Sequence, residues 1–381
     1  MTVWLGADRL DALGGYRRAR IGLVTNDAAL TSGGVPVRIA LLEAGYLLVR
    51  LFSPEHGLSA QGRDGAGQAD GFDPLTGLPV VSLYGERLAP RPDDLEDVDA
   101  VVVDLPDVGC RFYTYLWTLS HVLESCAAAG VPVVVLDRPN PLGGDPALAE
   151  GPMLDETRCA SFVGRWSMPI RHGLTLGELA RLWVAEGRVA AQVEVVEVTG
   201  GDRSVPALST TRPWVPTSPA IPTAHAAALY PGTGLVEGVT LSDGRGTALP
   251  FRVVGAPWID AVTLWRELRR LDTPGVVASP HGFVPGDGRY VGEACQGVLL
   301  TVLDPSAFRP VAFGLELLRT IARLWPDDLA EAPYPTRVNP TGAGHLDLLL
   351  GIPGAFDAVV AGTVDTAVPG WAEHVAPALL Y

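Results

Sequence analysis

The sequence predicts an α/β fold built around a parallel β-sheet. Short runs of Val, Ile and Leu alternate with segments of helical periodicity over residues 21–136. These runs are apolar throughout, which is typical of strands that are buried on both faces of a parallel sheet. Hydrophobic residues make up 48% of the 381 residues and charged residues 19%, so the chain has enough apolar side chains for a large core.

Each element follows from its own pattern. Two of the predicted helices end at a glycine, Gly45 and Gly130, because glycine readily adopts the left-handed conformation that follows a helix. Thr175 and Glu178 have the spacing of a capping box, which predicts that a helix begins there. The predicted strands cover residues 21–26, 47–52, 100–103, 133–136 and 297–303, and the predicted helices cover residues 35–45, 113–129, 175–186, 261–271 and 312–325.

The length of the chain predicts two domains, because domains average about 150 residues. We place the boundary so that the first domain covers residues 1–145 and the second covers residues 146–381. Residues 200–222 are rich in Pro, Ser and Thr and are predicted to be a loop.

Composition excludes several classes of protein. A net charge of −15 argues against partners such as nucleic acid or an anionic membrane. All 28 basic residues are arginine, so chemistry that needs a lysine amine is excluded, including Schiff-base catalysis and a P-loop. The four cysteines contain no C-x-x-C pair, and no metal or organic cofactor is predicted.

We find no signal-peptide pattern and no apolar run of membrane-spanning length, so we expect a cytoplasmic protein.

Polar side chains follow all four strands predicted in the first half. Ligands of such sheets bind at the carboxyl ends of the strands, so these side chains are expected to form a site together. They are Asn26 after the first strand, Glu55 and His56 after the second, Asp104 and Asp107 after the third, and Asp137, Arg138 and Asn140 after the fourth.

The chemistry of this set favours glycoside hydrolysis. Paired carboxylates at a cleft act as general acid and as base or nucleophile on a glycosidic bond. Arg111 precedes Tyr113 and Tyr115; its planar guanidinium is suited to a substrate carboxylate, and tyrosine rings stack on sugar faces. The sequence therefore predicts a carbohydrate as substrate.

Longer motifs carry a resemblance to a known family. They are Ser53-Pro-Glu-His-Gly57, Asp107-Val-Gly-Cys-Arg-Phe-Tyr-Thr-Tyr115, Asp137-Arg-Pro-Asn-Pro141, Pro169-Ile-Arg-His-Gly173, Glu237-Gly238, Gly244-Arg-Gly-Thr247 and Leu346-Asp-Leu-Leu-Leu-Gly351. On these residues the chain resembles the NamZ-type exo-β-N-acetylmuramidases over almost its whole length.

The resemblance implies a fold and an activity. The expected fold pairs a Rossmann-like N-terminal domain with a smaller α/β C-terminal domain. The implied activity is removal of a terminal N-acetylmuramic acid from the non-reducing end of peptidoglycan fragments. Glu55 is the implied catalytic carboxylate, and the second half is expected to contribute Glu237 and Arg245.

Several roles stay open in the sequence. The second carboxylate is Asp107, Glu237 or Asp104, and Arg111 and Arg245 are the candidates for binding the lactyl carboxylate of the substrate. His172 lies in the motif of residues 169–173. It is a candidate binding residue, but a purely structural role is equally expected.

Three positions depart from the family pattern. Pro106, Ala220 and Thr240 stand where the family usually has amide side chains. Loss of groups that bond a polar substrate alters selectivity. The alternative function is therefore that of a diverged homologue, which binds or acts on another glycoside or carboxylated small molecule without muramidase turnover.

Overall fold

The computed structural model describes residues 3–381, and a seven-stranded sheet dominates the first half of that range. The strand order is β3-β4-β2-β1-β5-β6-β7, and all neighbours are parallel except β3 and β4. The strands are β1 (Arg20–Val24), β2 (Leu47–Ser53), β3 (Gly71–Phe72), β4 (Pro79–Ser82), β5 (Ala100–Val103), β6 (Val133–Leu136) and β7 (Val193–Val196).

The predicted α/β fold class is confirmed, and β1, β2, β5 and β6 occupy the four segments predicted as strands. Every residue of β5 and β6 is buried, which explains their uninterrupted valine-rich sequences. The strands β4 and β7 were not predicted. β4 begins with a proline and ends with a serine, and β7 is half-exposed with a glutamate at its second position, so neither gives a continuous apolar signal.

Helices connect and cover the strands. Gly45 and Gly130 adopt φ of 83° and 69° directly after their helices, as the sequence predicts. The capping box also forms, because the Thr175 hydroxyl accepts the N–H of Glu178 and the Glu178 carboxylate accepts the N–H of Thr175. The helices are α1 (Val37–Glu43), α2 (Pro92–Leu95), α3 (Tyr115–Ala129), α4 (Leu176–Ala185), α5 (Ala224–Thr233), α6 (Ala261–Arg270), α7 (Pro310–Leu324), α8 (His345–Leu350), α9 (Ala355–Ala361) and α10 (Trp371–Val375).

A smaller antiparallel sheet lies in the second half of the chain. Its strands are β8 (Val253–Ala256), β9 (Val276–Phe283) and β10 (Cys295–Val302), in the order β8-β10-β9. The predicted strand at 297–303 corresponds to β10. The helix α6 packs against β9 and β10, so the second half also combines helices with a sheet.

The two halves share one core. A single cluster of buried side chains includes Val103 and Trp117 from the first half and Val254 and Leu317 from the second. A second cluster covers the other face of the large sheet.

The domain boundary at residue 145 stays a prediction, and β7 of the large sheet lies beyond it. Among residues 3–381, no helix is both long and apolar enough to cross a membrane.

Candidate active site

A cavity of about 250 Å³ lies where the segments that follow the strands of the large sheet meet the second half of the chain. Its charged and ionisable wall contains three carboxylates, one guanidinium and two imidazoles, from Glu55, Asp64, Glu237, Arg245, His56 and His345. Much of the remaining wall is aromatic and comes from Tyr84, Phe112, Tyr113, Phe162, Tyr230, Phe251 and Tyr334. Of the predicted site residues, the cavity brings together Glu55, His56, Tyr113, Glu237 and Arg245.

Glu55 lies two residues after the end of β2. Its side chain is almost buried, and neutral groups from the first half of the chain donate to both of its oxygens. The N–H of Gly65 lies 2.8 Å from Oε1, and the Thr114 hydroxyl lies 2.7 Å from Oε2. These contacts fix the carboxyl group at the cavity wall without placing a cation beside it.

His56 is held in an unusual backbone conformation. Its φ is 67°, in the left-handed region that non-glycine residues rarely adopt, and such strain is concentrated at functional sites. The ring Nδ1 lies 2.8 Å from the carbonyl oxygen of Gly62 and 3.7 Å from the Asp64 carboxylate. His56 therefore ties the cavity wall to the glycine-rich segment that follows it.

Glu237 is surrounded by cationic and hydrogen-bonding partners from the second half. Arg245 Nη2 lies 2.7 Å from Oε1, and His345 Nε2 lies 3.1 Å from Oε2. Burial acts to raise the pKa of Glu237, but Arg245 and His345 outweigh it, so the pKa lies below its ordinary value. Glu237 is therefore an ionised carboxylate at neutral pH.

Arg245 is already neutralised by protein carboxylates. Its three nitrogens donate separately to Asp64, Asp243 and Glu237, and its guanidinium lies over the ring of Phe251 at 4.6 Å. Burial acts to lower the pKa of Arg245, but the anionic groups around it raise that pKa well above the usual value. A substrate carboxylate would have to compete with three existing partners for this side chain.

Tyr113 and Tyr115 pack against each other, and only Tyr113 lines the cavity. Tyr113 lines the cavity and donates to the Thr217 hydroxyl at 2.8 Å. Tyr115 donates to the Thr217 carbonyl oxygen at 2.7 Å and accepts from the Asn26 amide at 2.9 Å. Tyr115 and Asn26 do not line the cavity, so the structure places them as supports for the strand ends.

Arg111 lies away from the cavity wall. Its buried guanidinium donates to the carbonyl oxygens of Pro152, Met168 and Leu349 at 2.6–2.9 Å, and Leu349 belongs to the second half. Burial lowers the pKa of Arg111 to about 10. The prediction that Arg111 binds the lactyl carboxylate is not supported by this geometry, because backbone carbonyls occupy the guanidinium.

We therefore expect Arg111→Met to destabilise the fold by about 3 kcal/mol or more, since it leaves buried carbonyl oxygens without donors. Urea unfolding of this variant would be compared with that of Arg266→Met, which removes an exposed arginine of α6. Equal unfolding free energies of the two variants would contradict a bracing role for Arg111.

The other two candidates for the second carboxylate lie outside the cavity. Asp104 is paired with Arg138, whose Nη2 lies 2.8 Å from Oδ2. Asp107 accepts the N–H of Gly109 at 2.7 Å, and burial raises its pKa to about 7. The structure thus brings Glu237, and neither of these aspartates, to the same cavity as Glu55.

Three further predicted residues have structural partners and do not line the cavity. Asp137 accepts the Thr175 hydroxyl and the N–H of Gly177 at the start of α4. Asn140 binds backbone groups of Leu142 and Leu174. His172 accepts the N–H of Leu174, and burial lowers its pKa to about 3. Strand ends need such caps, which explains why polar residues there are not all functional.

The three departures from the family pattern do not share one place. Ala220 lines the cavity, where its methyl group adds apolar surface. Thr240 instead donates to the Asp328 carbonyl oxygen at 2.8 Å, outside the cavity, and Pro106 does not line it either. Only one of the three substitutions therefore changes the wall that a substrate contacts.

Sequence reasoning missed several wall residues. Tyr84 lies in Ser82-Leu-Tyr-Gly85, a further segment that resembles the family, Thr114 lies in the motif of residues 107–115, and His345 directly precedes the motif of residues 346–351, so proximity to a motif was an available signal. Asp64 and Tyr334 carry no signal in the sequence, because only the tertiary structure brings them to Arg245. Within residues 3–381, no group of three or more His, Cys, Asp or Glu side chains is arranged to hold a metal ion.

Comparisons with known proteins agree with this architecture. A crystal structure of a DUF1343 family protein from Bacteroides fragilis NCTC 9343 is 29% identical to the chain and superposes with a TM-score of 0.86, covering 100% of this chain and 99% of that one. A second DUF1343 family protein from the same organism is 26% identical, with a TM-score of 0.75 and the same coverage.

A curated relative from Bacillus subtilis (strain 168), named peptidoglycan β-N-acetylmuramidase NamZ, is 41% identical over 310 residues. That match covers 81% of this chain and 74% of the relative. The family model for the N-terminal part of the exo-β-N-acetylmuramidase NamZ matches residues 21–225, and the model for the C-terminal part matches residues 228–376. The chain therefore belongs to the NamZ exo-β-N-acetylmuramidase family.

Proposed function

We propose that the protein hydrolyses the glycosidic bond of a terminal N-acetylmuramic acid at the non-reducing end of peptidoglycan fragments. The curated relative with 41% identity is a peptidoglycan β-N-acetylmuramidase. The observation that carries the proposal for this chain is that Glu55 and Glu237 line one cavity, each with its own set of partners. Glycosidases use two carboxyl groups on the two sides of the scissile bond.

The partners of the two carboxyl groups support different roles. Glu55 receives hydrogen bonds from a backbone N–H and a hydroxyl, which are neutral donors. Glu237 is kept ionised by Arg245 and His345. Two carboxyl groups in contrasting environments are the usual arrangement for an acid and an anionic partner. We assign general acid and base catalysis to Glu55 and stabilisation of the positively charged transition state to Glu237.

The aromatic wall supports a sugar as the ligand. Tyrosine and phenylalanine rings offer faces for the C–H groups of a pyranose, and tyrosine hydroxyls offer hydrogen bonds. Burial, followed by the nearby Glu55 carboxyl, raises the pKa of Tyr84, so its hydroxyl stays protonated and able to donate. Tyr334 stacks on His345 at 4.8 Å between ring centres and fixes the other side of the cavity.

Two disaccharides test the proposal. The purified protein is incubated with one disaccharide that carries N-acetylmuramic acid at the non-reducing end and with another that carries N-acetylglucosamine there. We expect free N-acetylmuramic acid from the first disaccharide and no cleavage of the second. Binding of the first disaccharide without any product would favour the alternative of a diverged, non-hydrolysing homologue.

The cytoplasmic location and a role in recycling peptidoglycan fragments stay predictions, and immunoblots of cell fractions test the location.

A further inference from the structure

The substrate carries a charge, and the cavity wall has no guanidinium that is free of protein carboxylates. N-acetylmuramic acid differs from N-acetylglucosamine by a lactyl ether on O3, and this group ends in a carboxylate. Glu55, Asp64 and Glu237 already line the cavity, and each nitrogen of Arg245 donates to a protein carboxylate. A fourth carboxylate placed against this wall would be repelled, since burying an unpaired charge is costly.

An arginine stands at the edge of the cavity, between two residues that line it. Thr336 and Val338 both belong to the wall, and the side chain of Arg337 between them is exposed. The N–H of Arg337 donates to the carbonyl oxygen of Gly65 at 2.8 Å, and the N–H of the same glycine donates to Glu55 at 2.8 Å. A single glycine therefore connects the backbone of Arg337 to the proposed catalytic carboxyl group.

The guanidinium of Arg337 is free for a ligand carboxylate. Its Nε makes a long contact of 3.3 Å with the Gly85 carbonyl oxygen, and no carboxylate of residues 3–381 pairs with it. The neighbouring Arg63, in contrast, pairs with Asp287 at 2.5 Å. Both Nη groups of Arg337 remain available, and a guanidinium fork matches the geometry of a carboxylate.

We propose that Arg337 binds the lactyl carboxylate of the substrate at the cavity mouth and thereby distinguishes N-acetylmuramic acid from N-acetylglucosamine. The inference rests on the proposed function, because that function supplies the lactyl group. It places the anionic end of the sugar at the mouth, outside the acidic wall, and leaves the anomeric carbon facing Glu55.

The test measures binding, so that it does not depend on turnover. Titrations monitored by saturation-transfer NMR compare the affinity for free N-acetylmuramic acid with the affinity for its methyl ester. The ester keeps the lactyl group but removes its charge. We expect the wild type to bind the acid about 10- to 100-fold more tightly than the ester, and Arg337→Gln to lose most of that preference. Binding of the ester itself should be unchanged by the substitution.

Two further variants sharpen the result. Arg337→Lys keeps the charge without the fork and should retain part of the preference. Arg289 is another arginine near Tyr334; it contacts the Pro333 carbonyl oxygen and has no carboxylate partner among the described residues. Arg289→Gln should retain the full preference for the acid. Equal affinity of the wild type for acid and ester, or an unchanged preference in Arg337→Gln, would overturn the inference. If the wild type prefers the acid to the ester but does not hydrolyse the muramic-acid disaccharide, the proposed function is rejected while the binding site at Arg337 is retained.

Discussion

Replacing Glu55 by glutamine is expected to lower the turnover of a muramic-acid disaccharide by about 1,000-fold or more. The substitution keeps the size of the side chain but removes its ability to give and take a proton, which contributes roughly 100- to 10,000-fold in such reactions. Loss of an acid matters most when the leaving group is poor. The decrease in kcat should therefore be larger for the disaccharide than for an aryl N-acetylmuramide whose leaving group departs without protonation.

Comparison of the two substrates separates catalysis from folding. The contacts of Glu55 with Gly65 and Thr114 are buried, but a glutamine can still accept the N–H of Gly65 through its amide oxygen and donate to the Thr114 hydroxyl through its amide nitrogen, so we expect the unfolding midpoint of Glu55→Gln to remain close to that of the wild type. Equal loss of turnover for good and poor leaving groups would remove Glu55 from the role of general acid.

Replacing Glu237 by glutamine is expected to lower kcat by about 100-fold or more, the usual effect of removing one electrostatic contact to a transition state. The matched control is Asp107→Asn, which also removes a buried carboxylate but lies outside the cavity. Burial raises the pKa of Asp107 to about 7, so we expect the fold to tolerate an uncharged side chain at that position. If Asp107→Asn lost as much activity as Glu237→Gln, the assignment of the second carboxylate would be wrong.

The pH profile gives an independent measure of Glu237. Its pKa is lowered by Arg245 and His345, so activity that needs the anion is lost only when the pH falls through this lowered pKa. His345→Leu removes one donor and should raise the pKa of Glu237, which moves the acid limb of kcat/KM to higher pH. His345→Gln offers an amide donor and should keep the limb closer to that of the wild type. An acid limb that both variants leave in place would show that Glu237 does not govern it.

Assembly of the site depends on contact between the two halves of the chain. Arg245 of the second half donates to Asp64 of the first, and Arg337 of the second half donates to Gly65, which in turn holds Glu55. Arg111 adds a buried connection to Leu349. The carboxyl groups are thus oriented by partners that come together only in the folded chain.

Strand periodicity predicted the edge of the sheet at which the cavity lies. Glu55 and His56 were predicted because they follow a buried strand, and the carboxyl ends of parallel strands share one edge. The family resemblance added Glu237 and Arg245, whose surroundings in the sequence show no periodic signal. The pattern of polar residues after apolar strands could not distinguish these residues from Asp104, Asp137 and Asn140. Caps and ion pairs at strand ends are made by the same types of side chain that act in catalysis.

The sequence by itself determined the α/β class, the four central strands and the family, because buried strands must be apolar and motifs keep their order along the chain. Only the tertiary structure decided which carboxylates share a cavity with Glu55 and which arginines beside it are paired with other groups of the protein. That outcome depends on partners distant in sequence, since Arg245 is paired with Asp64, Asp243 and Glu237, and the Arg111 guanidinium donates to carbonyl oxygens from three segments. The availability of a charged side chain depends on what surrounds it in space, and local sequence does not record those surroundings.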